Sequence, residues 1–482
     1  MHREPDPHGD TDSRSSADHV RPTPAPGRAA HRLTGPRAAA ALADLGLAPV
    51  AAGVIARRRG MMAVLERLGA DNRAVRRMHR LRREFGSGPV ELVLPGRRVL
   101  VPLEPADVSR ILDGAPTPFH PANREKIAAL RTFQPHGVLI SEGAAREQRR
   151  RLNEQALDTD RPLHHLADPF AGVVADAARE QIRTAMQRGG LDAAHFTTDW
   201  WRLVRRIVLG RRAREDDSIT DRLWRLRAAG NWSYFARPHR RLRERFYEQL
   251  YDYMQSAETD SLAGALTHLP AAGTVDPVGQ IPHWLFAFDA AGMATIRALA
   301  VLSTHPEQLA RARLDAQDPE RAMPRPYLRA CVLESVRLWP TTPAILRDTT
   351  EDTAWGRGDD RFTVAAGAAL LIPVPAFHRD PDTLPFAHTF EPDIWLDGRA
   401  ERYPQLVPFS AGPARCPGRD LVLFLTTSLL AHLIDELDLE LRSHPLPTPS
   451  AALPITFDNF RIEFTARARA LQAAQSPSPA GR

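Results

Sequence analysis

A chain of 482 residues with 43% hydrophobic and 25% charged side chains is long enough to bury a large core, and these proportions do not mark most of it as disordered. Its two cysteines, Cys331 and Cys416, lie far apart, which excludes a disulfide framework and a paired-cysteine metal site and suits a reducing compartment. The net charge of +6 rests almost wholly on arginine, Lys126 being the only lysine; without a Cys/His finger or a concentrated basic helix it does not point to nucleic acid.

Residues 1–36 are rich in Pro, Asp, Ser, Arg and His with almost nothing apolar to bury, and predict a disordered tail. No signal-peptide core follows the first methionine, so a cytoplasmic protein is expected. The next segment, "AAAALADLGLAPVAAGVIARRR", is nearly long enough to span a bilayer. Asp44, Pro49 and its alanine and glycine content argue against integral insertion and for a packed or surface segment, with peripheral membrane contact left open. "VELVLPGRRVLVPL" alternates around a Pro-Gly turn and predicts a hairpin, after which helical spacing resumes at "EPADVSRIL". Helices are predicted over 144–157, 163–188, 197–212, 218–230, 238–256, 279–304, 306–314 and 325–338, with strand-like pieces at "AALLIPV" and "ITFDNFRIEFTARA". With no internal repeat and no long polar linker, the expected layout is one domain over 37–470, mainly α with small β-sheets, and flexible ends at 1–36 and 471–482.

Four stretches carry candidate chemistry. In "FSAGPARCPGRDLVLF", residues 409–424, Gly412, Pro413, Pro417 and Gly418 forbid a regular helix around Cys416, and the apolar run that follows predicts a buried one. A cysteine just before a helix N-terminus meets unpaired N–H groups and the positive end of the dipole, which favour a thiolate, a nucleophile or metal ligand; the bland alternative is a small buried residue. In "LESVRLWP", Glu334 and Arg337 share one face of a helix apolar enough to be buried, where a charged pair needs further partners. In "FAFDAAGMATIRALAVL", Ala291 and Gly292 are small enough to admit a flat ligand, and Thr295 can hydrogen-bond an earlier carbonyl. "EGAAREQRRRLNEQAL" sets Arg146 and Arg150 four apart on one helix face, and Arg347 follows soon after the Glu334 helix.

Taken in chain order, the motifs from about residue 86 to 465 resemble those of the cytochrome P450 family. The resemblance implies haem b (iron protoporphyrin IX) as cofactor, Cys416 as axial iron ligand, Phe409 beside the ligand loop, Gly412 and Gly418 shaping it, and Arg146, Arg150, Arg347 and Arg415 facing the propionates. It implies that Glu334 and Arg337 brace the core structurally, that Ala291 and Gly292 open an oxygen-binding groove, and that Thr295 is the catalytic group assisting proton delivery. The implied activity is a monooxygenase acting with O2 on a small or medium hydrophobic substrate, with electrons from a ferredoxin and its reductase docking on basic surface near Arg415 and Arg419. A peroxide-driven oxidation and a non-catalytic haem-binding protein are the alternatives.

Three departures from the family pattern stand out. Ala414 occupies the basic position two before the cysteine, with Arg415 displaced by one; Ala294 replaces the acid before Thr295, leaving Asp289 or water as the expected substitute; and Ile394 in "FEPDIW" replaces the basic residue that closes the Glu334–Arg337 network, leaving Arg399 or Arg402. The pocket is expected to draw on "PTPFHPANREK", Phe288, Ala291 and "TPAILR", with Trp232 to Phe235 roofing its approach.

Overall fold

The structure, a computed structural model, describes residues 31–235, 239–270, 275–356, 361–443, 449 and 451–469; the expected flexible ends, apart from residues 31–36, lie outside the described residues. Residues 31–36 belong to the fold. Arg32–Leu33 pairs in parallel with Glu91 and Leu92, and helix Gly35–Ala52 begins two residues later with proline in its first turn. Burial of Leu33 explains why the polar composition of this stretch misleads: one apolar side chain on a sheet edge anchors it.

A helical body and a smaller sheet region each have their own apolar cluster. The larger sheet runs in the order Arg32–Leu33, Val90–Leu94, Arg97–Val101, Ala369–Pro373, Ala344–Thr349 and Phe119–His120. Its expected hairpin turns at Gly96, whose φ of 71° is a conformation glycine adopts without strain. Leu437–Leu441, Glu463–Ala468 and Gly190–Asp192 form a three-stranded sheet, and Thr353–Trp355 pairs with Phe362–Val364. Only the second half of "ITFDNFRIEFTARA" is strand, because Asp458 caps Phe460 N–H and turns the chain at Asn459–Arg461.

All eight predicted helices form, with shifted ends. The one expected from 197 starts at Ala193, where the Asp192 carboxylate accepts from Ala194 and His195 N–H, both at 2.9 Å; a cap, invisible to apolar spacing, sets that end. Helices Arg59–Arg67 and Asp71–Phe85 were not predicted, since arginines interrupt their narrow apolar faces. Helix Ile281–Ser303 is apolar nearly all round and mostly buried, and it packs against helices Ala193–Leu209, Pro326–Leu338 and Arg419–Glu436. By length and composition alone it could cross a membrane; here it is the central core helix, which satisfies the same apolar requirement.

Candidate functional site

The loop before Arg419 is built around its backbone. Gly412, at φ 63°, begins a single tight turn, and a Cβ there would lie 2.2 Å from Leu112 O, so any side chain would displace backbone. Cys416 N–H donates to Phe409 O at 2.9 Å and closes the loop, while the Phe409 ring packs half-buried against the main core. Gly418, in contrast, has room for a Cβ in ordinary contact with Leu157. Two side chains brace the loop from outside: Arg150 Nη1 donates to Arg415 O at 2.7 Å, and Thr159 Oγ1 to Pro417 O at 3.0 Å. Arg150 also binds Glu154, so it grips the cysteine loop and does not join Arg347. Arg415 turns outward to the exposed Asp160 at 2.8 Å, which corrects its expected propionate role.

Cys416 is half-buried. Burial pushes its thiol above the ordinary range, although the Gly418 backbone hydrogen bond, Arg150 and Arg419 pull it down. The expected thiolate is thus not stabilised by the helix terminus alone, because desolvation outweighs those local dipoles and charges; a thiolate here needs a cation on the sulfur. Cys331 is fully buried in the core, with its thiol pushed far up by the same desolvation.

On the central helix, Thr295 is fully buried and its Oγ1 donates to Ala291 O at 2.8 Å. Gly292 corrects the reading of an open groove. A Cβ there would lie 2.7 Å from the Trp200 indole, whose Nε1 donates to Phe288 O at 2.8 Å, so this glycine admits a neighbouring helix. Asp289 is held by Arg227 at 2.5 Å, and Arg227 is fixed in turn on Ile55 O; Asp289 is therefore committed to an ion pair. Ala294 O accepts from Ser335 Oγ at 3.0 Å, a contact from the Glu334 helix that no sequence pattern marked. Phe119 and Phe288, expected in the pocket, are core residues that pack against Trp355 and Trp200 respectively.

Arg146 and Arg347 do come together, and Lys126 joins them. Arg347 is 4% exposed; its Nη1 donates to Leu346 O and its Nε is buried with no partner among the described residues. Burial and the nearby Arg146 push its pKa down to about 10. Lys126 Nζ donates to Leu346 O at 2.7 Å and Pro121 O at 2.9 Å, and burial with repulsion from Arg347 and Arg146 pushes it well below the ordinary lysine value. The buried Arg146 side chain makes no hydrogen bond to a described residue, and His120 adjoins the same group. The neighbouring carboxylate, Asp348, is already bound by Arg97 and Asn123. Two buried arginines and a part-buried lysine with so little compensation are costly without an anion among them. Sequence reasoning passed over Lys126; its being the only lysine was the available signal.

Glu334 and Arg337 have no exposed surface and form a two-fold ion pair, Nε to Oε2 at 2.8 Å and Nη2 to Oε1 at 2.6 Å. The remaining Arg337 donors reach the carbonyls of His378, Phe386, Ala387 and Thr389. The closing partner is neither Arg399, which pairs with Glu391 and Asp397 at the surface, nor the exposed Arg402. It is Trp395, whose Nε1 donates to Glu334 Oε2 at 3.0 Å, together with Glu391 N–H on Oε1 at 2.9 Å. Ile394 is buried in a small apolar cluster one position before, so a neutral indole donor does the work of the expected cation.

A cytochrome P450 family model matches residues 298–459. Among curated proteins, the chain is 29% identical over 225 residues to cyclooctat-9-en-7-ol 5-monooxygenase of Streptomyces melanosporofaciens, covering 43% of this chain and 48% of that protein. It is 32% identical over 149 residues to probable cytochrome P450 4s3 of Drosophila melanogaster, covering 30% of this chain and 29% of that one. The chain thus spans less than half the length of these curated relatives. The crystal structure of a cytochrome P450 named CYP102L1 superposes with a TM-score of 0.66 at 18% identity, covering 82% of this chain and 94% of that one. A shared fold over most of the length, with a matched segment that holds both the Glu334–Arg337 pair and Cys416, makes the chain similar to cytochrome P450 proteins in fold and in this segment.

Proposed function

We propose that the chain is a haem-thiolate monooxygenase that places one oxygen atom of O2 into a small or medium hydrophobic molecule, with electrons from a separate donor of ferredoxin type. The family's cofactor is haem b, and the residues present fit it. Cys416 offers a sulfur ligand on a backbone-locked loop, and the buried Arg146 and Arg347 with the part-buried Lys126 are a cation group suited to two propionates. When bound, haem supplies the redox chemistry of oxygen activation, and a thiolate ligand favours cleavage of the O–O bond.

The chain's own residues do the rest. Arg150 and Thr159 hold the loop carbonyls so that Cys416 keeps its orientation. Thr295 places its proton on Ala291 O, so its Oγ1 is left as an acceptor for a proton donor reaching this face of the helix. The apolar side chains of Ala291 and Ala294 exclude bulk solvent there. An acidic donor protein would compete with Asp160 for Arg415 and with Asp420 for Arg419.

The observation that carries this reading is the Cys416 loop, where Gly412 cannot take a side chain and the Cys416 N–H is tied to Phe409 O. The test is the absorption spectrum of the reduced, carbon-monoxide-bound protein and of Cys416→Ser. A wild-type Soret band without the thiolate red shift overturns the proposal. One observation favours a second reading, a peroxide-driven oxidation: the acid position is Ala294, and Asp289 is engaged with Arg227. Product formed with hydrogen peroxide but not with O2 and a ferredoxin system would select it.

A further inference from the structure

Two side chains from outside the cysteine loop donate to its carbonyls, and the peptides they touch act on different partners. Arg150 Nη1 reaches Arg415 O at 2.7 Å, and the amide of that same peptide, Cys416 N–H, donates to Phe409 O at 2.9 Å. Thr159 Oγ1 reaches Pro417 O at 3.0 Å, and the amide of that peptide, Gly418 N–H, donates to the Cys416 sulfur. Arg150 therefore supports a bond between backbone groups, whereas Thr159 stands one peptide unit from the sulfur.

That unit passes on what the hydroxyl does to it. A hydrogen bond accepted by an amide oxygen polarises the amide and makes its N–H a stronger donor, by about 10–30% per bond in a hydrogen-bonded chain. Pro417 has no N–H, so Gly418 carries the first amide after the sulfur's own residue. Gly418 is also the N-cap of helix Arg419–Glu436, where an amide has no intrahelical acceptor and is available to the sulfur. A turn aims the hydroxyl. Helix Gly143–Ala156 is capped by Leu157, and Asp158 then takes φ 47°, a left-handed conformation that costs energy in a residue with a side chain. The backbone N–H and ring Nδ1 of His165 both lie 2.7 Å from Asp158 Oδ2 and hold it there, and Thr159 N–H returns to Glu154 O at 3.1 Å.

We infer that Thr159 is a positioning residue that lowers the electron density on the Cys416 sulfur through the Pro417–Gly418 peptide. This role rests on the reading of Cys416 as the iron's sulfur ligand. With the hydroxyl in place, the strengthened N–H···S bond draws charge from the thiolate. That favours Fe(II) over Fe(III), because the reduced site carries one more negative charge for the donor to stabilise. Without the hydroxyl the bond weakens, more charge stays on sulfur and Fe(III) is favoured. Arg150 does not share the role, since the amide it polarises is directed at Phe409 O.

The test is the midpoint potential of the haem-loaded full chain, measured by spectroelectrochemistry for the wild type, Thr159→Val, Thr159→Ala and Thr159→Ser. Valine and alanine are expected to shift the equilibrium toward Fe(III) by about two- to threefold, which is ~20–30 mV at 59 mV per tenfold for one electron. Serine keeps the hydroxyl and should restore the wild-type value. Asp160→Asn removes an exposed charge from the same turn without touching Pro417 O, and should not lower the potential. The inference is overturned if valine and alanine leave the potential where it is, if serine lowers it as they do, or if Asp160→Asn lowers it equally. Each of those results would reduce Thr159 to a brace of the turn. A wild-type carbon-monoxide-bound Soret band without the thiolate red shift overturns the reading of Cys416 and the inference with it. A normal band with an unmoved potential overturns the inference alone.

Discussion

Replacing Trp395 by phenylalanine removes one of four hydrogen bonds to a carboxylate that has no access to water. Glu334 Oε2 keeps Arg337 Nε, and Oε1 keeps Arg337 Nη2 and Glu391 N–H, but the position of the indole N–H at 3.0 Å is left apolar. A hydrogen bond to a charged group contributes about 1.5–3 kcal/mol net, and loss of a donor to a buried acceptor falls at the upper part of that range. The smaller ring adds a modest packing loss, so about 2–3 kcal/mol of stability should disappear. Glu334→Ala, which strands Arg337 as an unpaired buried charge, sets the ceiling at about 3–5 kcal/mol. The assay is urea unfolding of the haem-loaded protein followed by circular dichroism, with the Soret band as a second probe. Arg399→Ala, altering only a surface pair, should leave the midpoint essentially where it is. A Trp395→Phe loss below about 0.5 kcal/mol, or an Arg399→Ala loss equal to it, would show that the indole does not close the network.

Thr295→Ala is expected to divert electrons from product to hydrogen peroxide, and Thr295→Ser to retain most of the coupling; unchanged coupling in Thr295→Ala would remove Thr295 from proton handling. Lys126→Met should speed haem transfer to an excess of apomyoglobin by about tenfold or more, because one charge-assisted contact to a propionate is lost, whereas Arg415→Ala should leave that rate unchanged. His378, fully buried and accepting from Val407 N–H, has its pKa pushed down to about 3 by burial and by Arg337, so between about pH 3 and 6.5 the unfolded chain binds a proton that the folded one does not. Its contribution is complete above pH ~6.5 and is lost as pH falls through that window, with a slope of at most about 1.4 kcal/mol per pH unit. His378→Gln, which keeps an acceptor for Val407 N–H, should flatten the acid limb of stability against pH by one proton; an unchanged slope counts against a neutral His378.

Periodicity and turn chemistry were enough for the helices of the body and for the hairpin at Gly96, because those elements follow from local spacing and from residues that permit few conformations. Where a cap or a narrow arginine-rich face decided the outcome, as at Asp192 and over Asp71–Phe85, composition pointed elsewhere. The order of the motifs around Thr295, Glu334 and Cys416 likewise carried the resemblance to cytochrome P450 proteins, since spacing along a chain survives where overall identity is low.

Partners were another matter. Nothing in the one-dimensional string says that Trp395, and not an arginine, reaches Glu334, that Gly292 makes room for Trp200, that Arg415 leaves for Asp160 while Arg150 grips its carbonyl, or that Lys126 joins Arg146 and Arg347. The physical reason is the same in each case. Residue type sets what a side chain can donate, accept or bury, so the sequence by itself determined the elements, the sulfur-bearing loop and the kinds of contact available. Which buried acceptor a donor meets, and whether desolvation or a neighbouring charge prevails at Cys416, depends on distances between segments far apart in the chain, and only the tertiary structure decided those.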